Sequence, residues 1–298
     1  MAAKHAHHVV PQFYLRRFAD GERMVREWSM NTQRGLLVPV RHATVIKDLY
    51  TIDDKHGVEL DGFEDILGRI ESDAARALNE VLTARRWPLN DRSRQRLSLW
   101  VSAQYLRTPR SRGFLEAQMN SLRSSLDESS VNRLRDEIRV LGWTDEEIDS
   151  KWAETLAYYV PEGSQPRNAH VGWFRNLVFD ASKKLFERPW HLFRFDDPVL
   201  VTSDCPIVPI RENIREPGLH LLSAPLVHIP LDRFTLLQIL PAKAKIQKGD
   251  DLLWQGPQRL ATMSNIMVIE HADRHTYEHP EDSIQDVLSS RLLRGPSQ

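Results

Sequence analysis

The sequence predicts an α+β fold: a mostly helical bundle over residues 60–187, packed with a small antiparallel sheet built from N-terminal and C-terminal strands. Three observations predict it. Apolar residues recur at three- and four-residue spacing from about Leu60 to Phe186, the period of helices that bury one face. From Trp190 onward, β-branched and aromatic residues gather in short runs separated by prolines, as in strands. Helices followed by strands, rather than alternation, is the order of an α+β chain.

The elements follow in order. Residues 11–19 read as a short helix, with Pro11 suited to its first position and Asp20-Gly21 as its stop. Val25–Met30 and Leu36–Val40, separated by Asn31 and Gly35, read as a hairpin, and Asp48–Ile52 as a strand before the turn Asp54-Lys55-His56-Gly57. Leu60–Leu82 is strongly amphipathic through Leu60, Phe63, Leu67, Ile70, Ala74, Ala77 and Val81. Asn90 or Asp91 can cap the next helix, Ser93–Thr108, which Pro109 ends or kinks. Further helices are expected at Arg110–Leu126, Val131–Leu141, Thr144–Tyr159 and His170–Phe186. The third opens with the capping box Thr144-Asp145-Glu146-Glu147, and Pro161–Asn168 reads as a loop. The strands expected next are Trp190–Phe195, Pro198–Val201, Ile207–Ile210 and Phe234–Leu240, with closing helices at Leu260–His271 and Asp282–Leu293. Joining the 22–52 strands to the 190–240 strands would make residues 1–298 one domain.

Composition narrows the function classes. The 298 residues are 41% hydrophobic and 27% charged, with formal net charge −1, as in an ordinary globular chain with no global field toward nucleic acid or membrane. The single cysteine, Cys205, excludes an internal disulfide and a cysteine-based zinc site and suits a reducing cytoplasm. No apolar run approaches a membrane span or a signal sequence. Local charge is uneven. Arg92, Arg94, Arg96, Arg107, Arg110, Arg112 and Arg123 fall in a block with one acid, Glu116, while the block 48–73 is acidic. Opposed blocks predict helices that pair with each other. A basic face over residues 92–123 that binds nucleic acid is the sharper alternative. Gly-rich phosphate loops, dinucleotide fingerprints and a Gly-x-Ser-x-Gly elbow are absent from the sequence.

Polar residues at apolar positions mark candidate sites. Glu71 lies four residues after Leu67 and three before Ala74, on or beside its helix's buried stripe. Gln104 follows Val101 by three and Leu97 by seven, and Arg107 continues that face. Arg107 presents a fork suited to a carboxylate or phosphate, so it either pairs with Glu71 across two helices or binds substrate. Thr202-Ser203-Asp204-Cys205-Pro206 places small polar groups after an apolar run, as a turn or as a site. His8 is tethered to the apolar anchor Val9-Val10-Pro11-Gln12-Phe13-Tyr14-Leu15. It reads as a core or capping histidine or as a ligand.

These segments carry a resemblance. His8-Val9-Val10-Pro11-Gln12-Phe13-Tyr14-Leu15-Arg16-Arg17-Phe18 resembles the His-x-x-Pro-x-Phe-Tyr-Leu opening of the bacterial domain-of-unknown-function family 4238. Tyr50-Thr51, Ile70-Glu71-Ser72, Gln104-Tyr105-Leu106-Arg107-Thr108-Pro109, Thr202-Ser203-Asp204 with Pro206, Pro230-Leu231, and Asn265 with Arg274 agree in order over about residues 5–280. The resemblance implies a bacterial protein and carries no activity. His7-His8-Val9-Val10-Pro11 is also similar to the Asp-His-Ile-x-Pro start of HNH-type nucleases, with His7 in place of the Asp and no Asn-plus-His partner downstream.

The expectation is a hydrolase of nuclease type. His8, Glu71 and Asp204 would act in catalysis or hold one divalent metal ion, and Gln104, Arg107, Arg110 and Ser203 would bind substrate. The alternative is a non-catalytic binding or sensor protein in which the same groups form a structural network.

Overall fold

The computed structural model describes residues 6–47, 62–125, 128–140, 142–151, 166–211, 220–242 and 251–283. The strand expected at Asp48–Ile52, the turn after it, most of the closing helix from Asp282 and the second half of the helix from Thr144 lie outside these residues.

The chain opens with strand β1 (Ala6–His8), helix α1 (Gln12–Leu15) and a single 3₁₀ turn (Arg16–Phe18). The expected hairpin is β2 (Met24–Ser29) with β3 (Arg34–Pro39), paired antiparallel from Met24↔Pro39 to Ser29↔Arg34. Strand β4 (Val45–Lys47) returns to pair with β1. The helices are α2 (Gly62–Leu82), α3 (Asp91–Leu106), α4 (Pro109–Ser125), α5 (Glu128–Val140) and α6 (Pro166–Phe186). Residues 145–151 are helical too, behind the expected capping box: Glu147 accepts from the Thr144 N–H at 2.9 Å and Thr144 Oγ1 accepts from the Glu147 N–H at 3.3 Å. Asn90 caps α3 by accepting from the Ser93 N–H at 2.9 Å, satisfying a donor the first helical turn leaves open. Pro166 begins α6 inside the stretch expected to be loop, which fits proline's preset φ at a first turn.

Helix α3 is the centre of the helical layer, packed by α2 on one side and α6 on the other. Its last two turns are therefore buried all round, from Val101 through Leu106. Helix α2 buries Leu67, Ile70, Ala74, Ala77, Leu78 and Val81, the stripe its spacing predicts.

The strands form two main sheets rather than one small one. Strands β5 (Trp190–Arg194), β7 (Val208–Ile210), β8 (Leu226–Asp232), β9 (Thr235–Ile239) and β10 (Leu252–Gln255) make a five-stranded sheet in the order β10-β5-β9-β8-β7. It is antiparallel except where β10 runs parallel to β5. The N-terminal hairpin does join C-terminal strands, one inside the 190–240 stretch and one beyond it. The order β3-β2-β11-β6 pairs it with β11 (His275–Glu278) and β6 (Thr202–Ser203). Residues 198–201, expected as a strand, only lead into β6. Strand β11 escaped prediction because His-Thr-Tyr-Glu is short and polar, so its apolar alternation is weak. Helix α7 (Gln258–His271) covers both sheets near Val201 and Leu236.

One buried cluster runs from Val9, Val10, Tyr14 and Phe18 through α2, α3 and α6 to Leu192, Val227, Ile229 and Leu237 of the five-stranded sheet. Two arginines seal its far end. Arg94 pairs with Asp251, donates to Phe186 O at 2.9 Å and stacks over Trp190 at 4.4 Å. Arg188 donates to a ring of carbonyls, including Ala224 O at 3.0 Å and Ile239 O at 3.2 Å. Burial lowers its pKa to about 10.

Tyr14 is the densest junction. Its hydroxyl donates to Pro230 O of β8 at 2.6 Å and lies 2.8 Å from Thr202 Oγ1 of β6, while its ring packs 5.3 Å from that of Trp100. Tyr14→Phe leaves a buried carbonyl and hydroxyl short of a partner, which costs about 1–3 kcal/mol. Urea titration of the variant should show a lower midpoint with an unchanged slope; an unchanged midpoint would remove Tyr14 from this role.

Candidate functional site

The N-terminal segment is bolted to the helices by a chain of polar contacts. Val9 N–H donates to Thr44 O at 2.9 Å, and Thr44 Oγ1 donates to Val10 O at 3.0 Å. On the other side Gln104 Nε2 donates to Val9 O at 3.0 Å. Gln104 Oε1 accepts from Arg107 Nε at 2.9 Å, and another Arg107 nitrogen reaches Glu71 Oε1 at 2.7 Å. Gln104 and Arg107 are 0% and 2% exposed, and the Glu71 side chain is 28% exposed. The structure thus brings together three of the predicted residues, on α3 and α2, as their spacing indicates.

His8 stands beside this chain. Its Nε2 lies 3.2 Å from both Arg41 O and Gln12 Nε2. The first contact needs a protonated nitrogen and the second an acceptor, so a given tautomer satisfies one of them. His8 and Glu71 line an open groove of about 410 Å³ with Gln12, Phe13 and Ser72.

Asp204 is placed elsewhere. Its carboxylate accepts the backbone N–H groups of Asp273, Arg274 and His275 at 2.9, 2.7 and 3.0 Å, and its own N–H donates to His275 O. Burial raises its pKa, and the three N–H groups pull it back. Ser203 Oγ accepts from the Cys205 N–H at 3.1 Å. Arg110 contacts His271 Nδ1 at 2.9 Å. Among the described residues, His8, Glu71 and Asp204 do not gather, and no three His, Cys, Asp or Glu side chains are arranged to hold a metal ion. The expected single site is therefore two: Glu71, Gln104, Arg107 and His8 on one side of the N-terminal segment, and Asp204 on the other.

The arginine block is likewise distributed. Arg96 pairs with Asp73 at 3.4 Å, Arg107 with Glu71, Arg112 with Glu116 at 2.8 Å and Arg94 with Asp251. Helices α2 and α3 face each other with complementary charge, the first of the two expectations for the opposed blocks. These contacts leave no continuous basic face among those four side chains.

On the Asp204 side lies a cleft of about 200 Å³, walled by Val9, Thr44 and Pro109 and by polar groups that sequence reasoning missed. Glu27 and Tyr277 are direct cross-strand partners in the β2–β11 ladder, and His275 is two residues from Tyr277 on the same face. His275 Nε2 lies 3.9 Å from Glu27 Oε1, with the side chains 33% and 20% exposed. The Tyr277 hydroxyl is buried beside Glu27 and the Thr44 backbone without a well-formed hydrogen bond, and burial pushes its pKa well above that of an ordinary tyrosine. Arg274 is at the rim, 64% exposed and 3.7 Å from Asp273. His42 completes the polar lining, its Nε2 accepting from Arg41 Nε at 3.1 Å. The signal that could have found this group is His275-x-Tyr277, polar residues at strand period; its partner Glu27 lies some 250 residues away.

Fold and site define an α+β protein whose N-terminal segment separates a helix-side ion-pair lock from a sheet-side cleft of titratable groups. Residues 6–282 match the family described as "Protein of unknown function (DUF4238)", and the chain belongs to that family. Neither a curated protein nor a solved structure matches it. Among the described residues, no helix is long and apolar enough to cross a membrane.

Two outcomes follow from the polar contacts. Glu71→Ala removes the carboxylate that faces the buried Arg107 guanidinium and should cost about 3 kcal/mol, more than Glu71→Gln, as read from denaturation midpoints. Stability should also fall in acid. Burial holds His228 neutral with a pKa of about 4, and burial with the Arg110 guanidinium takes His271 to about 3. The unfolded chain takes up these protons below about pH 6.5 and the folded chain does not. Their contribution is therefore complete above pH 6.5 and is lost as pH falls toward 3, by up to about 1.4 kcal/mol per pH unit for each group. His228→Gln should flatten the dependence between pH 6.5 and 4; a slope equal to the parent's would assign it to other groups.

Proposed function

We propose that the protein is a hydrolase acting on phosphodiester bonds, and that the sheet-side cleft is where it acts. One observation carries this reading: the His275–Glu27 pair, both partly exposed, faces a concave space whose wall is pinned by a saturated buried carboxylate, Asp204. A histidine backed by a carboxylate is a general base whose protonated form is stabilised at the moment it appears. Arg274 at the rim supplies the cation a phosphate oxygen needs. In this reading Asp204 is a positioning residue, holding the turn that carries Arg274 and His275. Gln104, Arg107 and Glu71 hold the N-terminal segment that forms the opposite wall through Val9.

The second reading, a non-catalytic binding or sensor protein, is favoured by the Val9–Gln104–Arg107–Glu71 chain, whose described contacts are all internal. The two readings separate on assay. Purified protein is incubated with labelled RNA and DNA oligonucleotides, and cleavage is followed on denaturing gels. His275→Ala and Glu27→Gln should each lower the rate by about a hundredfold or more while the melting temperature stays within a degree or two of the parent's. Loss of stability without any cleavage by the parent protein would sink the enzyme reading in favour of the second.

A further inference from the structure

We infer that strand β10 is an assembly edge. It pairs antiparallel with β10 of a second copy of this chain, across a twofold axis at Leu253, and joins two five-stranded sheets into one. A sheet edge presents unpaired N–H and C=O groups, and folds blunt such edges with charge, proline or shortness. Among the described strands, the two main sheets have the edges β3, β6, β7 and β10. Strand β6 has two residues, and β7 has three with Pro209 at its centre. Strand β3 carries Arg34, Gly35 and Pro39. Strand β10 is Leu-Leu-Trp-Gln, without charge, proline or glycine. Its Leu252, Leu253 and Trp254 are 39%, 47% and 47% exposed. The carboxylate that precedes it, Asp251, is turned inward, paired with Arg94 and accepting the Trp190 N–H at 2.9 Å. It therefore adds no charge at the edge.

Register identifies the occupant. Around a twofold axis normal to the sheet, the two strands run antiparallel and each face continues across the joint. The Gly256 N–H donates to Arg194 O of β5 at 2.7 Å. Backbone groups of successive strand residues point to alternate sides, so those of Leu253 and Gln255 point to the open edge. An axis at Leu253 then makes Leu253 and Leu253 of the second copy a hydrogen-bonded pair, each donating its N–H to the other's carbonyl. The same register sets Leu252 opposite Trp254 and Trp254 opposite Leu252. All three exposed apolar side chains meet apolar partners, as cross-strand stabilisation asks. Leu252 and Trp254 stand in register with His191 and Phe193 of β5, and the Trp254 ring lies 6.1 Å from that of His191. The joint therefore extends an existing aromatic row. Leu253 is on the opposite face, in register with the buried Leu192. A strand that reads the same from both sides of its centre is what an isologous contact requires. The sheet's other edge carries Pro209, so the assembly closes at two.

The mass of the full chain in solution tests this. Light scattering after size exclusion is run from roughly 1 to 100 µM, because a four-residue strand makes a small interface. The mass should rise toward twice 34.5 kDa. Leu253→Lys sets two like charges opposite each other on the axis and should hold the protein at the monomer mass with an unchanged circular dichroism spectrum. Where that variant fails to fold, Trp254→Glu makes the same test from the other face. Leu37→Lys, at a 58% exposed position of the blunted edge β3, should associate like the parent. Hydrogen exchange at the Leu253 amide should slow by about tenfold or more as the parent associates, and stay fast in the monomeric variant. Four results would each overturn the inference: a parent that stays monomeric throughout, a folded Leu253→Lys or Trp254→Glu variant that still doubles its mass, loss of association in Leu37→Lys, or a Leu253 amide that exchanges equally in both states.

Discussion

The Tyr14 hydroxyl is the point on which the architecture turns. It donates to Pro230 O, so its oxygen is left to accept from Thr202 Oγ1. Pro230 belongs to the five-stranded sheet and Thr202 to the four-stranded one. One phenol therefore spans the two sheets, while its ring packs on Trp100 of the central helix and Phe18 of its own segment. A buried hydroxyl without partners would cost more than the ring's burial of the same group adds. Placed here, it joins three layers with one side chain. The short opening helix is too brief to be stable alone, and these contacts are what hold it in place.

The cleft inherits its geometry from that junction. Thr202, fixed by Tyr14, leads within two residues to Asp204, and Asp204 fixes the turn at residues 273–275. The turn starts β11, and β11 sets His275 and Tyr277 opposite Glu27. Val9, which walls the cleft, is held by Gln104 and hence by Arg107 and Glu71. Both walls are thus tied to α3 and to the N-terminal segment. A buried carboxylate is tolerable here because three N–H donors replace the water it loses.

The helical half was legible because side-chain period reports burial directly. Glu71, Gln104 and Arg107 could be placed on facing stripes of α2 and α3 from spacings of three, four and seven, and they meet. Asp204 could be recognised as special but not located, since its partners are backbone groups about seventy residues further on, which no side-chain pattern encodes. Arg94 and Arg188 illustrate the same limit. Their charge reads as surface, yet carbonyls and one aspartate take both into the interior. Sheet partition was illegible for a third reason. Short strands such as β6 and β11 are defined by long-range pairing, and their own propensity is weak.

The two sides of the N-terminal segment differ in how their polar groups are arranged. On the helix side the contacts run in a chain, Val9 O to Gln104, Gln104 to Arg107 and Arg107 to Glu71. Such a chain fixes one arrangement of the segment it holds. On the sheet side His275 stands 3.9 Å from Glu27, beyond hydrogen-bond length. The Tyr277 hydroxyl is buried without a well-formed bond, and Arg274 extends into solvent. A fold selected for stability alone would gain by closing the His275–Glu27 pair to hydrogen-bond length. Polar groups held apart at the edge of a concave space, on a backbone anchored as firmly as the 273–275 turn, are suited to a ligand that arrives from outside and completes them.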